Sequence, residues 1–317
     1  MTGQPPRIDI LLATYNGVCF LGEQVRSLLG QTYPHFRILA RDDASTDATA
    51  ALLADLSARC PGKIAIVDRG GRRLGACGNF AALLARSDAD YVMFCDQDDV
   101  WLPEKIERTL RTMQEVEQRC GAEQPVLVHT DLAVVDEALR PLGRSFWEYQ
   151  HLDVRRGATI NRLLMQNVVT GCAAMANRPL VRKALPIPPE AVYHDWWFAL
   201  VAAIFGRVEP LDEATVLYRQ HGRNQVGALR WDLAHVVRKA QTFFDRTCLV
   251  RNMRESGRQA RSLLERFGSS LPVQKRSAIE AYARLGECGF LARRWYVARY
   301  GFYRTGWIRN LSLLARV

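Results

Sequence analysis

Residues 91–103 read YVMFCDQDDVWLP, an apolar run that empties into Asp96, Asp98 and Asp99. Carboxylates packed this closely repel one another, and each keeps its charge only where a cation or solvent compensates it. Hard divalent cations prefer oxygen ligands, so a D-x-D at the end of a strand has the chemistry to hold Mg2+ or Mn2+ against a phosphate. An acidic triplet on its own also occurs as a solvated turn. Two other stretches bear on the choice: Ala13-Thr14-Tyr15-Asn16-Gly17, and Asp42-Asp43-Ala44-Ser45-Thr46-Asp47. Each follows an apolar run, and the second is again rich in carboxylates.

Apolar strands and amphipathic helices alternate to set up these loops. Ile8 to Ala13 reads as a strand, and Leu21, Val25, Leu28 and Leu29 fall at helical spacing after it. Phe36 to Ala40 is a second strand, followed by a helix through Ala51, Leu52 and Leu56 that Ser45 or Asp47 caps. Residues 64–67 form a third strand, 79–86 a helix and 91–95 a fourth strand, and Pro103 suits the first turn of a helix through Ile106, Leu110 and Met113. This alternation predicts an α/β fold with a mostly parallel, doubly wound sheet. Ligands bind such sheets beyond the carboxyl ends of the strands, where all three loops lie. A nucleotide bound there would present hydroxyls and phosphates to the carboxylates, with a metal between charge and charge.

The chain has 317 residues, 48% apolar and 24% charged, the balance of a globular protein with a large core. No apolar run approaches the roughly 18 residues that cross a bilayer, and MTGQPPRIDI lacks the pattern of a secretory signal. Eight scattered cysteines without a CxxC pair read as reduced thiols, consistent with a cytoplasmic setting. The net charge of +10 is unevenly placed. Residues 228–317 carry 18 Lys+Arg against 6 Asp+Glu, a net of +12, so residues 1–227 are close to neutral. The expected division is a catalytic domain over 1–227 and a helical basic region over 228–317.

ILLATYNG, then RDDASTDAT, then FCDQDDVWLPEKI, together with the later HDWW, resemble the inverting family 2 glycosyltransferases of the GT-A fold, and among them the bacterial rhamnosyltransferases. The resemblance covers roughly residues 8–225 and implies a nucleotide-sugar donor, with dTDP-L-rhamnose favoured and a UDP-sugar as the alternative. It implies that Ala13, Thr14 and Tyr15 line the donor base and that Asp43 accepts the base's imide N–H. It puts Asn79 near the donor, Asp96 and Gln97 at ribose or metal, and Asp98 on the metal. Inversion needs a base for the acceptor hydroxyl, and the resemblance gives that role to Asp195. Asp195 is also placed to be the N-cap of the apolar helix that follows. Its neighbour His194 stands where family members carry Glu, and reads either as an orienting hydrogen-bond partner or as a titrating group. Trp196 has the character of a sugar-stacking residue, and Gly171, in a small-residue strand over 167–172, that of a close approach to the donor sugar. His221 is a candidate third metal ligand and Arg223 a candidate phosphate contact.

Residues 291–317 contain six arginines and no acid, interleaved with Trp295, Tyr296, Tyr300, Phe302, Tyr303 and Trp307. That composition suits a helix at an anionic membrane, hence peripheral contact with the cytoplasmic face of the inner membrane and a glycan or lipid-linked acceptor. The alternatives are aromatics packed on the catalytic domain, or oligomerisation; no nucleic-acid motif is present. Two rival functions stand beside the transferase: a haloacid-dehalogenase-like phosphatase using Asp96 and Asp98, and a non-catalytic nucleotide-binding membrane adaptor.

Overall fold

A computed structural model describes residues 5–68, 71–222 and 246–316. The N-terminal half alternates as expected: β1 (Ile8–Thr14), α1 (Val18–Leu29), β2 (Phe36–Asp42), α2 (Thr49–Arg59), β3 (Ile64–Ile66), α3 (Gly75–Leu84) and β4 (Tyr91–Cys95). Then come β5 (Val100–Trp101), α4 (Lys105–Cys120), β6 (Val126–Val135), β7 (Pro141–Gly143) and three short helices, α5 (Phe146–Tyr149), α6 (Val154–Gly157) and α7 (Ile160–Met165). β8 (Ala174–Asn177), α8 (Arg178–Ala184), α9 (His194–Phe205) and β9 (Arg207–Arg219) complete the sheet region. Four helices follow: α10 (Arg246–Phe267), α11 (Val273–Leu285), α12 (Phe290–Tyr300) and α13 (Trp307–Arg316).

The sheet runs β3-β2-β1-β4-β8-β6-β9-β5, with β7 on the side of β6. Its first four strands are wholly parallel, and β6 and β9 form a second, long parallel pair. The antiparallel pairings of β8, β5 and β7 are short. The parallel strands are buried on both faces, which is why they read as continuous apolar runs. Ile8, Ile10, Leu12, Met93 and Cys95 face a core closed by α1, α2 and α4. Leu11, Leu39, Val92 and Phe94 face the opposite core, closed by α3, α9 and the C-terminal helices.

Several expectations change. Helix α3 spans Gly75–Leu84 instead of 79–86, so residues 75–78 are its first turn. Residues 167–172 form no strand; they are loop leading into a 3-10 turn at Gly171–Ala173. Tyr193, not Asp195, is the N-cap of α9, and Asp195 lies in the first turn. The expected division near residue 227, and Arg223 with it, lie outside the described residues. On the far side of it, α10 to α13 share one core with α3 and α9. Val297, Phe302 and Leu313 are buried there, and Phe267 stacks on Trp197 at 6.4 Å between centroids. Among the described residues no helix is long and apolar enough to cross a membrane, and the cysteines other than Cys248 are free thiols.

Candidate active site

The three loops after β1, β2 and β4 are laced into one platform. Gln97 pairs with the backbone of Tyr15 at both ends of its amide: Tyr15 N–H donates to Oε1 and Nε2 donates to the Tyr15 carbonyl, each at 2.8 Å. Gly17 leaves room for this clamp, since a Cβ there would sit 2.0 Å from Gln97 Oε1. The first loop is tied to the second in the same way. Asn16 N–H donates to Ser45 Oγ, Gly17 N–H to Thr49 Oγ1, and Thr46 N–H to Asn16 Oδ1, all at 2.8 Å. Thr14 is buried and donates to Asp42 Oδ1 at 2.9 Å, while Ala13 is half-buried beside it. The N-cap of α2 is Ala48, which makes no side-chain cap, and not Ser45 or Asp47 as expected; Asp47, one residue earlier, accepts from Thr49 N–H at 2.9 Å.

Asp43 does more structural work than a base-reading role requires. Its carboxylate accepts from Leu74 N–H at 2.7 Å, Gly75 N–H at 2.8 Å and Arg41 Nη1 at 2.9 Å, so it caps the start of α3. Arg41 is buried beside it, and Nη1 also donates to Asn79 Oδ1 at 3.1 Å while Asn79 Nδ2 donates to the Arg41 carbonyl at 3.2 Å. Asn79 is therefore a buried strut of Arg41 rather than a residue facing the cleft. Tyr15 is half-buried, and the Arg73 guanidinium lies over its ring at 4.2 Å.

The D-x-D residues diverge. Asp98 Oδ2 lies 2.9 Å from His221 Nε2, and the His221 ring stacks on Phe20 with centroids 4.7 Å apart. Asp99 points inward: it is buried, and Oδ1 accepts from the Arg219 N–H at 3.1 Å. Arg219 Nε donates to the Asp98 carbonyl at 2.9 Å, and its guanidinium also reaches Glu23, fixing the turn from below. Lys105 is fully buried beneath the cluster, and burial lowers its pKa to about 8 against the pull of Cys172, Cys95 and Asp99. Asp96 keeps part of its surface open, yet burial, then Asp98 and Asp195, push it up to about 7. Among the described residues one trio, Asp96, Asp99 and Cys172, offers ligand atoms within 4.8 Å of one another. Burial holds Asp99 and Cys172 well above their ordinary values, and a thiol suits softer metals than Mg2+ or Mn2+. Asp96, Asp98 and His221 carry oxygen and imidazole donors suited to Mg2+ or Mn2+, but among the described residues their ligand atoms are not gathered within 4.8 Å of one another.

Asp195 closes the cleft from the α9 side. It accepts from Trp196 N–H at 2.6 Å, and from the Gly171 backbone and the Asn167 side chain. Part of its surface remains open, but burial raises its carboxyl to about 7. His194 does not orient it. The imidazole is buried, stacked on Phe80 at 3.9 Å and edge-on to Phe94 at 4.8 Å. Its Nε2 finds no hydrogen-bond partner among the described residues, and burial lowers its pKa to about 3. It is a neutral member of an aromatic box. Gly171 accommodates this box: a Cβ there would meet His194 Nε2 at 2.9 Å. Trp196 is half-buried, its indole N–H donating to the Leu163 carbonyl at 2.6 Å, and Trp197 is wholly buried.

Sequence reasoning missed Arg41, Lys105 and Arg219, the buried cations behind the acidic loops. Arg41 stands next to Asp42-Asp43 in the chain and was open to notice. Lys105 lies at the start of an amphipathic helix most of whose other charges face solvent, and nothing local marks it as buried.

The sequence model of Glycosyl transferase family 2 matches residues 9–175. dTDP-rhamnosyl transferase RfbG of Shigella flexneri is 28% identical over 68% of this chain and 74% of its own length. Across the first relatives the match takes in 59% to 74% of their own length. A structure of S. aureus TarS in complex with UDP-GlcNAc superposes with a TM-score of 0.55 at 14% identity, covering 98% of this chain and 90% of that one. The mannosyltransferase PcManGT of Pyrobaculum calidifontis, in complex with GDP-Man and Mn2+, gives 0.55 at 16% identity over 94% of this chain and 74% of its own.

Proposed function

The chain belongs to glycosyl transferase family 2, and from that premise we propose that this glycosyltransferase moves a sugar, with inversion, from a nucleoside-diphosphate donor to an acceptor hydroxyl deprotonated by Asp195. Membership of the family sets aside the dehalogenase-like phosphatase. The observation that carries the reading is the pairing of two carboxylates from distant parts of the chain. Asp195 is near enough to Asp96 to raise its pKa, and burial brings Asp195 itself to about 7. A base poised near neutrality, opposite the carboxylates at the strand ends, is what a single displacement needs.

In that step the Asp195 carboxylate takes the hydroxyl proton as the acceptor oxygen bonds to the anomeric carbon from the face opposite the leaving group. The bond from that carbon to the diphosphate oxygen breaks, and its electron pair leaves with the diphosphate. We assign Asp98 and Asp96, with His221, to hold Mg2+ or Mn2+, which when bound neutralises the departing diphosphate. Mn2+ accompanies the donor in the mannosyltransferase structure, which supports this choice. Asp43 has three N–H donors on a group that accepts about four, and we assign the remaining position to the imide of the base. The likeness to RfbG favours dTDP-L-rhamnose as donor.

We further propose that α12 and α13 rest on an anionic membrane carrying a lipid-linked acceptor. Leu291, Trp295, Trp307 and Leu311 are 58–78% exposed there, among arginines. Such a face combines apolar insertion with attraction to anionic headgroups. The test is a panel of nucleotide sugars with Mg2+ or Mn2+, following nucleotide release and thermal stabilisation. Stabilisation by dTDP-L-rhamnose and not by UDP-glucose supports the donor assignment, and the reverse removes it. Asp195→Asn should keep donor binding and lose transfer; transfer at the original rate would leave Asp195 without its role. A wild-type chain that binds donor without turning it over would be the adaptor instead.

A further inference from the structure

The loop between α7 and β8 is pinned on both sides of Asn167. Gln166 Oε1 accepts from Thr305 N–H at 2.9 Å, which ties the loop to the segment before α13. Val168 and Val169 are buried in the core shared with the C-terminal helices. Gly157 leaves room for Val168, since a Cβ there would meet Val168 Cγ1 at 2.6 Å. The backbone of Asn167 is thus held by distant parts of the chain.

Its side chain is held as well. Asn167 Oδ1 accepts from Val169 N–H at 3.0 Å. That bond fixes which way round the amide lies: with oxygen on Val169, the other end presents N–H, and it meets the Asp195 carboxylate. The other donors to Asp195, the N–H groups of Trp196, Gly171 and Asp195 itself, are backbone and come with the fold. Gly171 brings the loop this close, since a Cβ there would lie 3.4 Å from Asp195 Cβ. The titratable groups around Asp195 are Cys77 on α3, Tyr193 and His194 at the start of α9, and Asp96 after β4. Burial pushes Cys77 up to about 12 and raises Tyr193, while His194 is neutral, so among these Asp96 alone shares the pH range of Asp195. Glu255, Arg304 and Arg309 lie across the adjoining cavity, which Asn167 and Tyr193 also line.

We infer that Asn167 is a positioning residue for the transfer: its locked amide holds the Asp195 carboxylate in the orientation that faces an acceptor hydroxyl. The inference rests on the reading of Asp195 as the base and adds the side chain that aims it. A donor on a carboxylate also favours the ionised form, so Asn167 offsets part of what burial does to Asp195. Through Gln166 and Thr305 the C-terminal helices support this contact, which makes them part of the site's scaffold instead of an appendage.

The experiment unfolds the full chain with urea, in EDTA, at pH 5 and pH 9, as wild type, Asn167→Ala, Asp195→Asn and the double variant. Removing the amide raises the Asp195 carboxyl further above its value of about 7, so the added destabilisation grows above pH 7 and is absent at pH 5. For a rise of about one pKa unit, Asn167→Ala loses about tenfold more in the folding equilibrium constant at pH 9 than at pH 5. In the Asp195→Asn background this excess should vanish, although Asp96 still titrates there. A loss equal at both pH values, or an excess that survives Asp195→Asn, overturns the inference. Should Asn167→Ala fail to fold, Asn167→Asp decides, because it keeps the acceptor for Val169 N–H and sets a carboxylate oxygen against Asp195. A pH 9 excess that Asp195→Asn removes then supports the inference, and no excess refutes it. With dTDP-L-rhamnose and Mn2+, kcat for nucleotide release at pH 7 should fall roughly fivefold or more in Asn167→Ala, with donor KM within about twofold. A raised KM with kcat intact counts against it. Failure of the base reading looks different, since Asp195→Asn would then leave turnover intact while the pH-dependent excess persists.

Discussion

Substituting Gly17 by alanine isolates the clamp between the first loop and the D-x-D loop. Gly17 has φ of −115°, a conformation any residue adopts, so backbone strain is not the issue. The new Cβ would fall 2.0, 2.1 and 2.7 Å from the three terminal atoms of Gln97, and the amide must swing away. That breaks both 2.8 Å hydrogen bonds to Tyr15. At roughly 0.5–1.5 kcal/mol net per bond, Gly17→Ala should cost about 1–3 kcal/mol. Gln97→Ala breaks the same two bonds and should cost a similar amount. In the double variant the alanine at 17 meets no amide, so the second substitution should add less than about 1 kcal/mol. The coupling is then the second single-variant loss less that increment, up to about 3 kcal/mol, where independent sites would add within roughly 0.5 kcal/mol. Urea denaturation of the four proteins measures it, and donor KM should rise in both single variants because the loop carrying Tyr15 loses its anchor to the D-x-D loop. Strict additivity would refute the clamp, as would a Gly17→Ala protein as stable as wild type.

Three other outcomes test the electrostatics of the site. Since Asp195 must be unprotonated to act and its carboxyl is raised to about 7, kcat/KM should fall about tenfold per pH unit below 7 and level off above it; a flat profile from pH 5 to 8 would contradict this. The same shift has a stability consequence. The folded chain keeps a proton on Asp195 that the unfolded chain releases near the ordinary carboxylate pKa of about 4, so the group destabilises the fold progressively from about pH 4 to about 7 and by a constant amount above that. Asp195→Asn should then raise the melting temperature relative to wild type at pH 8 and change it little at pH 4; the opposite trend would sink the assignment. His194→Phe should preserve the pH profile of kcat/KM, because the imidazole is already neutral across that range. A displaced profile would show that His194 does communicate with the base.

Much of this protein is legible from local pattern. The apolar runs ending in ATYNG, RDDAS and CDQDD are strands because they are buried on both faces, and the loops at their ends are where such a sheet binds ligands. Residue type and the family resemblance single out Asp96, Asp98, Asp195 and His221 as candidates for chemistry. What local pattern could not supply was partners, since those come from residues 31 to 120 positions away. Gln97 turned out to hold Tyr15, Asp43 to cap α3, Asn79 to brace Arg41 and His194 to fill an aromatic box. The puzzle of three adjacent carboxylates has the same character. The sequence by itself determined that negative charge is concentrated at a strand end. Only the tertiary structure decided that Asp99 turns inward toward Arg219 and Lys105 while Asp96 and Asp98 line the cleft with Asp195. Desolvation and through-space charge set those roles, and both depend on which distant segments the fold packs around each side chain.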